Sequence, residues 1–333
     1  MLPKGRPVRA PEFWHSKDVG GIGGALSFVL TPFGWIYGAI TSMRAASKST
    51  WQAPVPVICV GNVVMGGAGK TLVSVDLAER LSAKGQSPHI IMRGYGGRIH
   101  APTRVDLNLH NASDVGDEAL LLARTAPTWV GRKRAEVAKL ATEAGATVLI
   151  MDDGFQNSSL AKDLSLLVVD AEYGYGNGRV CPAGPLRESI KNAVERAHAV
   201  ISLGGSLPEN ILDMPTFVGR TEATADAPDI KGKRVIAFAG IGRPEKFFDT
   251  LKAAGAEIAE TISFPDHHPF SNTEIENVLA RAKTQDSAVI TTEKDFVRIP
   301  AILSARIMSF PVRLNWDHAD AFESFILERT GLS

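Results

Sequence analysis

Residues 55–71 read VPVICVGNVVMGGAGKT, and this stretch decides the fold. Its first six residues form an apolar run typical of a buried strand, and the prolines, Pro54 and Pro56, are confined to the start of that strand. A helical pattern from Thr71 to Lys84 follows the glycines. In such a strand–loop–helix, backbone N–H groups cradle phosphates, the lysine reaches the β and γ phosphates and the Thr hydroxyl holds Mg²⁺. The sequence therefore predicts a triphosphate-binding loop formed by Gly66, Gly67, Ala68, Gly69, Lys70 and Thr71.

One position departs from the usual spacing of this loop. In the pattern G-x-x-x-x-G-K-[ST] the first glycine would fall at Val64. We expect Gly66 and Gly67 to supply the missing backbone freedom, because glycine adopts conformations that other residues avoid.

A magnesium partner is predicted at the end of a second apolar run. Ala146–Met151 reads as a strand buried on both faces, and Asp152 and Asp153 follow it at the edge where ligands bind. One carboxylate is expected to coordinate Mg²⁺ directly or through water while the other orients it, and the sequence does not decide between them. A turn before Gly154 is the alternative, since Asp-Asp-Gly is also good turn chemistry.

The remaining pattern predicts an α/β fold with a P-loop NTPase-like parallel sheet core and a second, smaller α/β domain. Apolar strand patterns alternate with helical ones, which is typical of a parallel sheet covered on both faces. The alternation restarts at Val235–Ala239, after a polar stretch. We therefore expect an amino-terminal segment over 1–50, a core over 51–228 and a smaller domain over 229–333, with a substrate cleft between the two domains.

The amino-terminal segment is predicted to associate with a membrane. Val19–Met43 carries no charge and is long enough to span a bilayer, although six glycines weaken a helix and Pro32 is expected to break or kink it. A single span would also export the ATP site, because Lys4, Arg6 and Arg9 favour a cytoplasmic amino terminus.

We therefore expect a peripheral segment that lies on the cytoplasmic face of the membrane. Its aromatic residues would lie at the headgroup level and its basic residues would contact lipid phosphates: Phe13, Trp14, Phe28, Phe33, Trp35 and Tyr37, with Lys17, Arg44 and Lys48. The alternative is that these apolar residues cover the core of the next domain.

Composition excludes several other classes. The chain has 333 residues, and its 36 basic and 36 acidic side chains cancel. Its net charge therefore does not favour binding to nucleic acid. Its two cysteines, Cys59 and Cys181, are far apart and lack the spacing of a metal cluster. Nothing in the sequence implies a protein partner.

Four further residues are candidates for phosphoryl-transfer chemistry. Asp117 lies where a loop meets a helix, so it is either a base near an acceptor hydroxyl or a helix cap. Arg93 and Arg98 flank a glycine-rich turn, which suits phosphate binding or a solvated turn. His267, between two prolines, is either functional or a surface residue.

Taken together, the motifs resemble the tetraacyldisaccharide 4'-kinases, which phosphorylate the lipid A disaccharide precursor with ATP. The resemblance covers nearly the whole chain. Beyond the phosphate loop and the aromatic amino-terminal segment, the motifs are Val60-Gly61-Asn62, Arg93-Gly94-Tyr95-Gly96, Val115-Gly116-Asp117-Glu118, Asp152-Asp153-Gly154-Phe155-Gln156, Pro182-Ala183-Gly184-Pro185-Leu186-Arg187-Glu188, Phe264-Pro265-Asp266-His267-His268 and Thr291-Thr292-Glu293-Lys294-Asp295.

The resemblance implies roles for individual residues. Lys70 and Thr71 would handle ATP and Mg²⁺, Asp152 and Asp153 would complete the metal site, and Asp117 would act as the base with His267 tuning it. It further implies a 4'-hydroxyl acceptor and peripheral attachment to the inner membrane. The motif ending in Arg187-Glu188 and the pair Lys294-Asp295 are expected only to hold nucleotide or close the site.

A switch ATPase of the deviant P-loop type is the rival interpretation. Such proteins bind membranes through an amphipathic element but carry a lysine just before the paired glycines, where this chain has Met65. They release free phosphate and make no phosphorylated lipid, so product identity separates the two functions.

Overall fold

The structure is a computed structural model that describes residues 11–15, 21–207 and 214–332. Lys4, Arg6, Arg9 and Lys17 of the expected membrane segment lie outside the described residues.

A nine-stranded sheet forms the larger layer. Its order is β13-β8-β7-β6-β1-β5-β2-β4-β3, and all pairings are parallel except those of the two edge strands β3 and β13. The strands are β1 Val57–Gly61, β2 Pro88–Met92, β3 Thr103–Arg104, β4 Thr128–Val130, β5 Val148–Asp152, β6 Leu164–Asp170, β7 Ala199–Leu203, β8 Thr216–Ala223 and β13 Val312–Trp316. The central strands are fully buried, as their continuous apolar runs require.

Helices cover this sheet and position the site. The helix after the phosphate loop is α2, and the others are short elements between strands: α2 Lys70–Ala83, α3 Ala112–Val115, α4 Asp117–Leu122, α5 Arg134–Glu143 and α6 Ile190–Val194. The main core contains Ile58, Val73, Leu77 and Ile150 among others, so α2 buries one side against the central strands.

A separate four-stranded parallel sheet has the order β10-β9-β11-β12. Its strands are β9 Arg234–Ala239, β10 Glu257–Ser263, β11 Ala288–Thr292 and β12 Met308–Phe310, and the helices are α7 Pro244–Ala253, α8 Asn272–Thr284, α9 Glu293–Phe296 and α10 Ala301–Ser304. The α/β class with a large parallel sheet is therefore confirmed.

The end of the chain returns to the larger sheet. Strand β13 pairs antiparallel with β8, and the last helix, α11 Ala319–Thr330, buries Phe322 and Ile326 in the core of the larger sheet. The smaller sheet is thus an insertion between β8 and β13. The boundaries expected at 50 and 228 stay predictions.

Helix α1, Gly21–Ala46, precedes the larger sheet and continues through Pro32. Pro32 therefore does not break the helix, and the expected kink stays a prediction. Contacts on both sides of the proline hold α1 in place. The Ser27 hydroxyl donates to the Ala183 carbonyl at 2.6 Å, and a Cβ on Gly34 would lie 2.6 Å from the Val180 carbonyl oxygen. Glycine in α1 thus permits close packing.

The outward face of α1 is apolar and open. Its large side chains are 40–90% exposed: Ile22, Leu26, Phe28, Val29, Phe33, Trp35, Ile36, Tyr37, Ile40 and Met43. By length and composition, Ile22–Ala46 could cross a membrane.

Candidate active site

The phosphate loop has the backbone that its glycines predict. Gly66 has φ 114° and Gly69, which caps α2, has φ 80°, so both occupy the left-handed region that favours glycine. Lys70 begins α2, and its ammonium lies 3.2 Å from Oδ1 of Asn62 and 3.5 Å from Oδ1 of Asp153. The lysine is therefore held at the mouth of the loop by a polar group and a carboxylate.

The carboxyl ends of three neighbouring strands supply the rest of the floor. Strands β1, β5 and β2 are adjacent and parallel, so the residues that follow them meet at one edge of the sheet. Those residues include Asp153 and the exposed Arg93. The structure thus brings Arg93 to the predicted edge.

Asp153 forms ion pairs with two basic side chains, Lys70 and Arg187. Arg187 pairs with both of its oxygens, with Nη1 2.9 Å from Oδ1 and Nη2 3.3 Å from Oδ2. Burial favours the neutral carboxyl, but Lys70 and Arg187 outweigh it and lower the pKa of Asp153 to about 2. Asp153 is therefore a carboxylate held by side chains of the protein.

Asp152 differs from its neighbour. It is 1% exposed, and its Oδ1 accepts a hydrogen bond of 2.8 Å from Ser74 on α2. Within the described part of the chain its Oδ2 has no hydrogen-bond partner. Burial and the nearby Glu118 carboxylate raise the pKa of Asp152. A buried carboxylate oxygen without a partner is the atom that a divalent cation would satisfy.

Asp117 and His267 form a pair across the two sheets. Asp117 is the first residue of α4, and Nδ1 of His267 lies 3.0 Å and 2.9 Å from its two oxygens. Its Oδ1 also accepts from the Glu118 N–H at 2.9 Å, and Nε of Arg298 lies 3.4 Å from Oδ2. The N-cap position of α4 is Gly116, and the Asp117 carboxylate both accepts an N–H of the first turn and contacts His267.

The surroundings of Asp117 favour its ionised form. Burial alone favours a neutral Asp117, but the hydrogen bond from His267 and the charges of Lys294 and Arg298 lower the pKa of Asp117 to about 2. Asp117 is therefore ionised in the structure. Its carboxylate holds the imidazole by one nitrogen.

The adjacent histidines have different surroundings. His267 has φ 58° and its ring lies 5.7 Å from that of Tyr95. His268 instead places Nε2 2.9 Å from Glu274 and stacks on Phe264 at 5.0 Å. The imidazole next to Asp117 is thus His267.

Lys294 is a site residue that sequence reasoning left without a defined role. It lies on α9, with its ammonium 3.1 Å from Glu118, 3.6 Å from Asp266 and 3.4 Å from Nε2 of His267. Burial favours the neutral amine, but Glu118 and Asp117 outweigh it and raise the pKa of Lys294. In the sequence, Lys294 was indicated only by its place in the motif Thr291-Thr292-Glu293-Lys294-Asp295.

The segment 182–188 connects α1 with the phosphate loop. The Ala183 carbonyl accepts from Ser27 of α1, while the Arg187 N–H donates to the Val63 carbonyl at 2.7 Å. The Met65 N–H also donates to the Pro185 carbonyl at 2.8 Å. Segment 182–188 therefore contacts both the apolar helix α1 and the residues just before the phosphate loop.

Comparisons with known proteins agree on one family. The family model described as tetraacyldisaccharide-1-P 4'-kinase matches residues 26–331. A protein of Paramagnetospirillum magneticum named tetraacyldisaccharide 4'-kinase is 49% identical over 330 residues, which cover 98% of this chain and 99% of that protein. One of the same name from Rhodospirillum centenum is 48% identical over 324 residues, 96% of each chain.

A solved structure has the same fold. It is described as the "apo" form of LpxK from Aquifex aeolicus in complex with ATP. The two share 27% sequence identity with a TM-score of 0.76, over 92% of this chain and 99% of that one.

Proposed function

Because the chain belongs to the tetraacyldisaccharide-1-P 4'-kinase family, we propose that it transfers the γ-phosphate of ATP to the 4'-hydroxyl of a tetraacyldisaccharide 1-phosphate, the lipid A precursor. The observation that carries this proposal is the contact between His267 of the smaller layer and Asp117 of the larger one. It sets a proton-accepting pair beside a phosphate loop, and phosphoryl transfer to a hydroxyl requires both.

The roles within the pair follow from its charges. The resemblance implies that Asp117 is the base and that His267 tunes it, and that assignment stays a prediction. We propose the opposite order of roles, because a carboxylate with a pKa of about 2 is a weak proton acceptor. Asp117 is better suited to fix His267 through Nδ1 and to stabilise the imidazolium that forms. His267 then takes the hydroxyl proton at Nε2, and Asp117 and His267 act as one catalytic unit.

Positive charge at the mouth of the sheet would offset the charge on the transferring group. Lys70 and the backbone N–H groups of Gly66–Thr71 would hold the phosphates of ATP, with Arg93 at the same edge. In this structure Lys70 lies between Asn62 and Asp153. Nucleotide binding would therefore draw the ammonium from Asp153 towards the phosphates.

The residues present fit a magnesium ion. The Oδ2 atom of Asp152 is buried without a partner among the described residues, and Thr71 is in the first turn of α2, one turn before Ser74. Thr71 and Asp152 would hold the ion, and Asp153, already paired with Arg187, would orient it. A bound Mg²⁺ would neutralise charge on the β and γ phosphates.

Helix α1 suits attachment to the lipid that carries the acceptor. Its inner face is made of small residues that pack on segment 177–184, and its outer face exposes aromatic and aliphatic side chains. A helix packed along the protein has one face left for lipid, which favours a peripheral position on the cytoplasmic face of the inner membrane. Transfer of acyl chains into water would cost about 0.8 kcal/mol per CH₂, so the enzyme approaches the lipid.

The test is transfer of labelled γ-phosphate to detergent-dispersed tetraacyldisaccharide 1-phosphate. Wild type is expected to yield a lipid phosphorylated at the 4' position, while Lys70→Ala and Asp117→Ala lose most of the activity. Free phosphate without labelled lipid would instead support the switch ATPase. Full activity in Asp117→Ala would remove the pair from the mechanism.

A further inference from the structure

The backbone of His267 has an uncommon conformation. Its φ of 58° lies in the left-handed region, which residues other than glycine adopt mainly where the surrounding structure imposes it. The His267 N–H donates to the Gly240 carbonyl at 3.1 Å and to Oδ1 of Asp266 at 3.0 Å. The position of the imidazole therefore depends on what holds this turn and the Gly240 carbonyl in place.

Arg298 holds both of them. Its side chain is 5% exposed and lies two residues beyond the end of α9. Its Nη1 donates to the His268 carbonyl at 3.0 Å, and its Nη2 donates to the Gly240 carbonyl at 2.9 Å. One guanidinium thus joins the residue after His267 to the carbonyl that accepts the His267 N–H.

The guanidinium is itself fixed by buried partners. Asp295, whose side chain is fully buried, pairs with Nη2 of Arg298 and accepts from the Gly240 N–H at 3.0 Å. The ring of Phe270 lies 5.4 Å from Cζ of Arg298. An arginine paired and packed in this way has little freedom to change its direction.

The same guanidinium also faces the larger layer. Its Nε lies 3.4 Å from Oδ2 of Asp117, the oxygen that lies 2.9 Å from Nδ1 of His267. Arg298 therefore contacts the carboxylate of the pair from one side and the backbone that carries the imidazole from the other.

We propose that Arg298 is a positioning residue that sets His267 against Asp117 across the two layers. The inference rests on the proposed function, in which Asp117 and His267 act as one unit. A planar guanidinium donates in several fixed directions, whereas an ammonium is a single point of charge, so a lysine at 298 cannot make all of these contacts. Loss of Arg298 lets the imidazole move from the acceptor hydroxyl, and a misplacement of about 1 Å costs about 10²-fold in rate.

Hydrogen–deuterium exchange of the full-length protein in detergent micelles, followed by mass spectrometry, reports on the turn directly. The peptide that covers residues 264–271 contains the His267 N–H and should be protected in wild type. In Arg298→Lys its exchange should be about tenfold faster, because the two hydrogen bonds to the Gly240 and His268 carbonyls are not both kept. The matched control is Arg281→Met, a surface arginine of α8 paired with Glu260, which should leave this exchange unchanged.

Kinetics separates positioning from a general structural role. Arg298→Lys and Arg298→Met should each lower kcat for lipid phosphorylation by about 10–100-fold and change the KM for ATP by less than about twofold. In the His267→Gln background either substitution should lower kcat by less than about twofold, since Arg298 acts through the imidazole. Equal losses in the two backgrounds would show that Arg298 only stabilises the fold.

Rapid exchange of the 264–271 peptide in wild type would overturn the inference whether or not any variant folds. Unchanged exchange in folded Arg298→Lys, or an equal acceleration in Arg281→Met, would overturn it as well. Exchange does not depend on turnover. An inactive wild type whose protected turn loosens in Arg298→Lys therefore contradicts only the proposed function.

Discussion

The guanidinium of Arg187 pairs with the carboxylate of Asp153 through two hydrogen bonds, of 2.9 Å and 3.3 Å. The backbone of the segment that carries Arg187 also forms hydrogen bonds with Val63 and Met65, which precede the phosphate loop. The segment that ends in Arg187 and Glu188 therefore contacts both the Asp153 carboxylate and the residues that lead into the phosphate loop. Its sequence alone did not show which group it would contact.

Arg187→Met is expected to lower kcat/KM for ATP by about 10–100-fold, because Asp153 loses the partner that orients it. Arg187→Lys retains charge but not the two parallel hydrogen bonds, so it should recover only part of the activity. Steady-state kinetics with varied ATP measures both. The matched control is Arg179→Met, which loses a contact with Thr31 of α1 and leaves Asp153 intact; equal losses in the two Met variants would refute the role.

The Asp117–His267 contact predicts non-additive kinetics. Asp117→Asn and His267→Gln should each lower kcat by about 10²–10⁴-fold, and the double variant should be no worse than the poorer single one, because the two residues act as a unit. Lipid-phosphorylation rates at saturating ATP give the comparison. His268→Gln serves as the control, since that ring contacts Glu274 instead. Multiplicative losses in the double variant would show that the residues act separately.

Asp117 also predicts how stability depends on pH. Its folded pKa of about 2 lies below its ordinary value of 3.8, so its ionised form stabilises the fold above pH 3.8 and this contribution is lost as the pH falls towards 2. The contribution is on the order of 2 kcal/mol. Urea unfolding at several pH values should show a shallower acid dependence for Asp117→Asn than for wild type. Parallel curves would mean that Asp117 is not stabilised as an anion.

The exposed face of α1 predicts a separable effect on lipid binding. Phe33 and Trp35 are 61% and 70% exposed, so changing both to Ser should leave the unfolding midpoint unchanged. It should weaken vesicle binding by several kcal/mol, since each buried aromatic side chain contributes about 1.5–3 kcal/mol. Sedimentation with anionic vesicles measures the loss. Ile302→Ser, at an exposed apolar position of α10, is the control; an equal loss there would point to non-specific adsorption.

Sequence patterns predicted the parts of the fold that local chemistry determines. The strands expected at Ala146–Met151 and Val235–Ala239 are observed at Val148–Asp152 and Arg234–Ala239, because continuous apolar runs mark buried strands. The antiparallel strand β13 was not predicted; only Pro311 separates it from β12. Its pairing with β8, some 90 residues earlier, leaves no local signal.

The candidate site was likewise predicted only where its residues are close together in the sequence. The phosphate loop was readable because its glycines and Gly-Lys-Thr are contiguous. The partners of Asp117 come from residues about 150 and 180 positions later, His267 and Arg298, and only the packing of the two layers brings them together. For Lys294, charge and position in a motif gave no indication that its ammonium would face an imidazole.

Trp316 tests whether the returning strand β13 stabilises the nucleotide helix. Its indole N–H donates to the buried Asp76 of α2 at 3.0 Å, and its ring stacks on Phe322 of α11 at 4.0 Å between centroids. Trp316→Phe keeps an aromatic ring but leaves Asp76 with one donor fewer, which should lower the free energy of unfolding by about 1–3 kcal/mol in urea titrations. Asp76→Asn should then cost less in the Trp316→Phe background than in wild type, because part of the interaction is already lost. The exposed Trp35→Phe should cost almost nothing. Fully additive losses for Trp316 and Asp76 would show that β13 does not stabilise α2 through this contact.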